Sequence, residues 1–288
     1  MTSKFLYYLV IYPISLLPFF ILYRISDFLA FVFEYILKYR DDVIRNNIQN
    51  SFPKKTKKEV KEIQHKFYKH FSDLIIESLK GFNLSEKTAR KRISFEGTEE
   101  IEKFFQEGKS IIILSGHYGN WEMPGTALPL FINHLPLAVY KPLTNKFFDN
   151  KIKESRAVFG DILLSMKDVK TEIAKDLGKP KAICFATDQS PSNPEKCYWT
   201  KFLNQDTGVL FGAEKYAKEL NIPIVYMTIT KPKRGYYHII CETLFENPLE
   251  TTYGEITEKH TKFLEEKIIK RPELWLWSHK RWKHKKPN

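Results

Sequence analysis

Two hydrophobic patterns divide the chain. Near the N-terminus, Phe5 to Tyr23 reads FLYYLVIYPISLLPFFILY, without a charged residue. At ~1.5 Å per residue, a straight helix of this length nearly matches a ~30 Å hydrocarbon layer. The run exceeds the usual apolar core of a secretory signal, and the Arg24-Ile25-Ser26-Asp27 that follows offers no small-residue cleavage site. Residues 1–38 are therefore expected to form a retained membrane anchor. Pro13 and Pro18 each remove a backbone donor, and a second apolar stretch, Leu29 to Leu37, is interrupted by Glu34. A kinked span, a re-entrant hairpin and an interfacial helix pair all fit this pattern. Lys4 precedes the run, whereas Arg24, Lys38, Arg40, Arg45 and a lysine cluster from Lys54 to Lys61 follow it. The positive-inside bias then places the body, residues 39–288, on the cytoplasmic side of that membrane.

Beyond residue 38 the periods become those of a folded domain. Tyr39 to Pro53 reads as a helix stopped by proline. Lys57 to Phe82 is a second helix, with Ile63, Phe67, Phe71, Leu74 and Ile75 on one face. From Ser110 onward, short β-branched runs alternate with helical ones. Strands are expected at Ser110–Leu114, Leu137–Lys141, Ile162–Leu164, Lys181–Thr187, Ile222–Thr230 and Tyr236–Leu244. Helices are expected at Asn145–Phe159, Val169–Leu177, Gly212–Leu220 and Ile256–Lys270. Such alternation predicts an α/β fold with a mostly parallel central sheet flanked by helices, whose ligands sit beyond the carboxyl ends of the strands.

Composition narrows the class. In 288 residues, 43% are hydrophobic, so a sizeable core is available and global disorder is excluded. Lys and Arg number 46 against 34 Asp and Glu, a net charge of +12 that favours an anionic partner: nucleic acid, acidic membrane or phosphorylated substrate. No nucleic-acid module is recognisable, and the apolar N-terminus argues against that partner. Cys184, Cys197 and Cys241 are far apart and odd in number, which points away from a disulfide scaffold. Cys184, within an apolar strand, reads as core.

The chemistry gathers in Ser115 to Glu122, SGHYGNWE, directly after the SIIIL strand. His117 and Glu122 lie five residues apart, about 140° around a single helix, and would not face each other there. They meet only if His117 occupies a turn and Glu122 opens a helix, and Gly116 and Gly119 permit such a turn. The Glu122 carboxylate would then fix the imidazole tautomer and leave the other ring nitrogen as a general base. Gly119 and Asn120, at the same turn, are candidate substrate-binding positions, because backbone donors at a helix start hold anions and developing oxyanions. No H-E-x-x-H, G-x-S-x-G or phosphate-loop motif is present, so metal, serine-hydrolase and nucleotide chemistry are not indicated and no cofactor is expected.

With these residues in view, the chain resembles the late (lauroyl/myristoyl) acyltransferases of lipid A biosynthesis, which are themselves similar to other His-x4-Asp/Glu acyltransferases. The resemblance rests on five segments in order: YRDDVIRNNIQNSFP after the anchor, GHYGNWE, VYKPL at Val139 to Leu143, ATDQ at Ala186 to Gln189, and WLWSHKRWK at Trp275 to Lys283. It implies transfer of a fatty acyl chain from an acyl carrier protein thioester to a hydroxyl of a phosphorylated glycolipid at the membrane. His117 would be the base and Glu122 its orienting partner. Lys141, Arg156, Asp188 and Gln189 would bind substrate. Lys141 stands where the family carries arginine, and the stretch after Asp188, SPSNPEKCYWT at Ser190 to Thr200, departs from the usual glycine-rich one. These departures leave an acyltransferase for a lysophospholipid or an amino-acid-containing lipid as the alternative. Trp275, Trp277 and Trp282 are expected to line an acyl groove, sit at an interface or pack in the core. The basic tail from His279 to Lys286 is expected to grip phosphates or to be solvated.

Overall fold

The computed structural model describes residues 2–166 and 168–287. Its centre is a seven-stranded sheet of β1 (Ile93–Glu96), β2 (Ile111–Ser115), β3 (Leu135–Tyr140), β4 (Ile162–Ser165), β5 (Lys181–Ala186), β8 (Ile224–Lys233) and β9 (Tyr236–Phe245), ordered β1-β9-β8-β2-β5-β3-β4. Strands β8, β2, β5, β3 and β4 run parallel; β9 is antiparallel to β8, and β1 follows β9. A separate hairpin joins β6 (Tyr198–Phe202) to β7 (Gln205–Val209).

The helices are α1 (Thr2–Leu6), α2 (Tyr12–Leu16), α3 (Phe19–Phe31), α4 (Asp41–Ser51), α5 (Lys57–Gly81) and α6 (Glu86–Arg92), then α7 (Thr98–Gln106), α8 (Glu122–Ala127), α9 (Lys146–Arg156), α10 (Val169–Ala174), α11 (Gly212–Leu220) and α12 (Glu255–Lys270). The expected strands and helices after residue 39 are all present, with ends shifted by a few residues. Residues 86 to 106 and the β6–β7 hairpin carried no expectation. The hairpin turns on Leu203 and Asn204, both with positive φ. That is the primed turn favoured by strand twist, made without the usual Asn-Gly pair.

Alternation along the central strand separates two cores. Ile112 and Leu114 of β2 face one side, with Ile183, Ile224 and Tyr226, under Phe67 and Tyr68 of α5, Ala213 and Ala217 of α11, and Ile256, Leu264 and Ile268 of α12. Ile111 and Ile113 face the other, with Ala182, Val225 and Met227, under Ile101 and Phe104 of α7 and Met123 and Ala127 of α8. Burial on both faces is why these strands read as near-continuous apolar runs. A capping box starts α5: the Glu59 amide donates to Thr56 Oγ1 at 3.3 Å, and the Thr56 amide to Glu59 Oε2 at 2.8 Å.

The N-terminal residues form a broken helical path. Leu17 has ψ 147° before Pro18, which separates α2 from α3, whereas Pro13 lies in the first turn of α2 and is accommodated there. Among the described residues, no helix is long and apolar enough to cross a membrane. The path is instead docked on the body. Tyr23 Oη donates to Glu77 (2.8 Å), Ser26 Oγ to Asp73 (2.8 Å), and Arg234, in the β8–β9 turn, pairs with both Asp27 and Asp73.

At the other end of the chain, Trp275 and Trp277 are buried in the core rather than lining a groove. The basic tail is not a free solvated arm: buried Arg281 donates to the Gly208 carbonyl, and Trp282 Nε1 to Thr207 Oγ1.

Candidate functional site

Strand register builds the site. In the parallel β2–β5 pair, Ser115 is matched with Ala186, and the Thr187 amide reaches the Ser115 carbonyl at 3.3 Å. The two chains therefore leave the carboxyl edge of the sheet side by side, and the second residue past each strand, His117 and Asp188, meet. Asp188 accepts the His117 amide at Oδ2 (2.9 Å) and His117 Nδ1–H at Oδ1 (2.6 Å); Trp275 Nε1 adds a third donor at 2.8 Å. Burial alone would raise the Asp188 carboxyl, but the His117 charge and these hydrogen bonds outweigh it and hold it at about 2. Burial likewise pulls His117 down, and the Asp188 charge and hydrogen bond, helped by the charge of Glu122, more than offset it, so the imidazole is raised above its ordinary value. A ring that donates from Nδ1 keeps its lone pair on Nε2, where the Gln189 amide donates at 3.0 Å. The Trp121 ring sits edge-on to the imidazole, 4.8 Å between centroids.

Glu122 takes a different place from the one its spacing suggests. It opens α8, as expected, but its carboxylate is clasped by Arg156 at the end of α9: Nη2 to Oε1 at 2.6 Å and to Oε2 at 2.8 Å, with Nε to Oε2 at 3.0 Å. Among the described residues, no hydrogen bond joins Glu122 to His117. The carboxylate on Nδ1 is Asp188, because strand pairing delivers it there while the first turn of α8 aims Glu122 toward α9.

Gly119 and Asn120 are likewise committed to the scaffold. The Gly119 amide donates to the Leu274 carbonyl (2.9 Å) and is not open to an oxyanion. Its φ is +66°, and a Cβ there would lie 2.9 Å from Ile229 Cγ2. Fully buried Asn120 accepts the Glu122 and Met123 amides at Oδ1 (both 3.0 Å) and donates from Nδ2 to Glu77 (2.6 Å). Glu77, also fully buried, accepts from Tyr23 and Tyr237 as well, and burial raises its carboxyl. Sequence reasoning passed over Glu77 and Tyr237, and read Trp275 as groove, interface or core rather than as a donor to Asp188. Glu77 stands out on α5 only because a carboxylate interrupts the apolar face. Lys141 is exposed just beyond β3.

Beside the Glu122–Arg156 pair lies a cavity of about 270 Å³, with Ile11, Phe82, Leu84, Met123 and Phe148 on its apolar walls. A base held by a buried carboxylate, an arginine–carboxylate clasp and an apolar pocket together suit proton removal from a hydroxyl next to a long apolar substituent.

The family described as bacterial lipid A biosynthesis acyltransferase matches residues 1–284. Among curated proteins, the lipid A biosynthesis palmitoleoyltransferase of Escherichia coli (strain K12) and the lipid A biosynthesis acyltransferase of Shigella flexneri are each 19% identical over 254 residues, covering 86% of this chain and 80% of theirs. With a family match over almost its whole length, joined to an α/β fold that presents His117 at the carboxyl edge of the sheet, the chain belongs to the bacterial lipid A biosynthesis acyltransferases.

Proposed function

We propose that the protein moves a fatty acyl chain from an acyl carrier protein thioester to a hydroxyl of a lipid A precursor, at the cytoplasmic face of a bacterial inner membrane. The observation that carries the mechanism is the Asp188–His117 pair at the carboxyl edge of the sheet. Asp188 holds the Nδ1–H tautomer, so Nε2 takes the proton of the acceptor hydroxyl. The oxygen attacks the thioester carbonyl and a C–O bond forms. Collapse of the tetrahedral intermediate breaks the C–S bond, and the leaving thiolate takes the proton back from Nε2. Gln189 lies on Nε2, so the acceptor hydroxyl displaces its amide to reach the base. Arg156, steadied by Glu122, offers a planar cation to a phosphate of acceptor or carrier, and Lys141 a second, point-like charge. The apolar cavity receives acyl chain.

The test is turnover of purified His117→Ala with an acyl carrier thioester and a lipid A precursor. A fall of roughly 10²–10⁴ in rate is expected for a lost general base, and unchanged turnover rejects the assignment. Mass spectrometry of lipids from cells with and without the protein reports the acceptor: loss of one acyl chain from lipid A supports the reading. Loss from a lysophospholipid-derived or amino-acid-containing lipid instead moves the acceptor to that class.

A further inference from the structure

The way the N-terminal path is fastened bears on how it meets the membrane. The α3 helix runs antiparallel to α5, matching Tyr23 with Glu77 and Ser26 with Asp73, and beyond its end Phe33 meets Phe71 and Glu34 meets His65. The two ties made by α3 itself are polar, and that to Asp73 is buried. Asp73 is also paired with Lys231 and Arg234. Beyond the end of α3, the first half of α5 carries exposed Lys57, Lys61, Glu62, Lys66 and Lys69. A bilayer crossed by α3 would have to admit, along the same length, the cluster of Asp27, Asp73, Lys231 and Arg234 to which α3 is tied, which hydrocarbon does not favour.

The two sides of α3 differ sharply. Leu22, Ser26 and Ala30 face the body and are buried, while Phe20 and Phe28, 72% and 64% exposed, face outward with Phe31 and Tyr35. Exposed Arg24 lies among them, long enough to reach a headgroup while its stem stays with the rings. Phe5 and Leu9 extend the apolar surface along the preceding segment, and Lys4 and Lys38 stand near its two ends. Ile11 of the same segment lines the cavity beside Glu122 and Arg156, and Asn145, at the start of α9, donates to Ser3 Oγ at 2.8 Å. The segment that carries this apolar surface thus also lines the cavity beside the site.

We infer that residues 3–37 lie in the plane of one leaflet, as a monotopic helical foot whose Phe20/Phe28 face enters the acyl region of an anionic bilayer, and that they do not cross it. The apolar side fits the acyl boundary, the flanking cations fit anionic headgroups, and the mouth of the cavity is held at the depth where lipid chains are found. The inference rests on the membrane-attached part of the proposed function and adds its topology.

The test uses the full chain with a short epitope at each end, expressed in a Gram-negative host. Protease added outside intact spheroplasts removes neither epitope, and protease added to inverted inner-membrane vesicles removes both. Loss of the N-terminal epitope alone from intact spheroplasts makes the segment a span and overturns the inference while membrane attachment stands. Recovery of the chain in the high-speed supernatant, with no binding to phosphatidylethanolamine/phosphatidylglycerol vesicles, overturns attachment and the inference together. Phe20→Glu with Phe28→Glu, both on the exposed face, lowers partition into those vesicles by about tenfold or more. Unchanged partition by a variant with native circular dichroism overturns the assigned face.

Discussion

Two carboxylates stand near His117, and the fold gives them opposite surroundings. Asp188 is buried, accepts three hydrogen bonds and is tied to the imidazole. Glu122 is about a quarter exposed and spends its carboxylate on Arg156. Five residues separate Glu122 from the histidine, and 71 separate Asp188 from it. Strand register joins the distant pair by hydrogen bonds, whereas a helix start turns the nearby one aside. Closeness in sequence brought Glu122 into the neighbourhood, where its charge still favours the imidazolium, but it did not make Glu122 the partner of Nδ1.

The sharpest way to break this contrast is to neutralise each carboxylate in turn. Asp188→Asn removes tautomer control and the charge that supports the imidazolium, and is expected to cost roughly 10²–10⁴ in kcat, comparable with losing the base itself. Because Asp188 raises His117, the acid limb of the wild-type profile of kcat/KM against pH lies above the ordinary imidazole value of about 6.5. In Asp188→Asn burial prevails and the limb moves to lower pH. A limb that stays in place, measured on residual activity, would remove Asp188 from its role.

Glu122→Gln is expected to cost less, roughly 10- to 100-fold against the 10²–10⁴ of a lost general base. If Glu122 acts by steadying Arg156, then Glu122→Gln combined with Arg156→Ala is no slower than Arg156→Ala alone. Additive losses in that double-mutant cycle would give Glu122 a separate action on His117. Both single variants leave the acid limb far closer to wild type than Asp188→Asn does.

The smallest expected effect is on stability. Gly119→Ala places a Cβ on a left-handed backbone and 2.9 Å from Ile229 Cγ2. A loss of about 2–3 kcal/mol in denaturant unfolding is expected, from backbone conformation plus overpacking. A stability change under about 0.5 kcal/mol would mean that the turn relaxes and that Gly119 is not what holds His117 in place.

Much of this was legible along the chain. The SIIIL run, the glycines after it and the alternation that follows placed His117 at a strand end and Glu122 at a helix start, and both stand there. Residues Asp188, Gln189 and Arg156 entered through family resemblance, and the fold gathers them around His117 and Glu122. For Gly119 and Asn120, the motif shows which residues share a turn and not which of their polar groups are already used inside the fold. Leu274 and Glu77, which use them, arrive from β-bridge pairing and from α5. The Trp275 indole escaped for the same reason: an apolar side chain with one polar atom reads as core until its neighbour is known.

Local sequence determined what depends on short range: the periods of strands and helices, the proline break at Pro18, the capping box of α5 and the apolar outer face of α3. Tertiary structure alone decided which carboxylate holds His117, which cation holds Glu122, and that the N-terminal path is bound to a charged helix by buried polar ties. Those outcomes follow from strand register and layer packing, which bring together residues far apart in the chain, and a hydrogen bond forms where donor and acceptor meet, whatever their spacing in sequence.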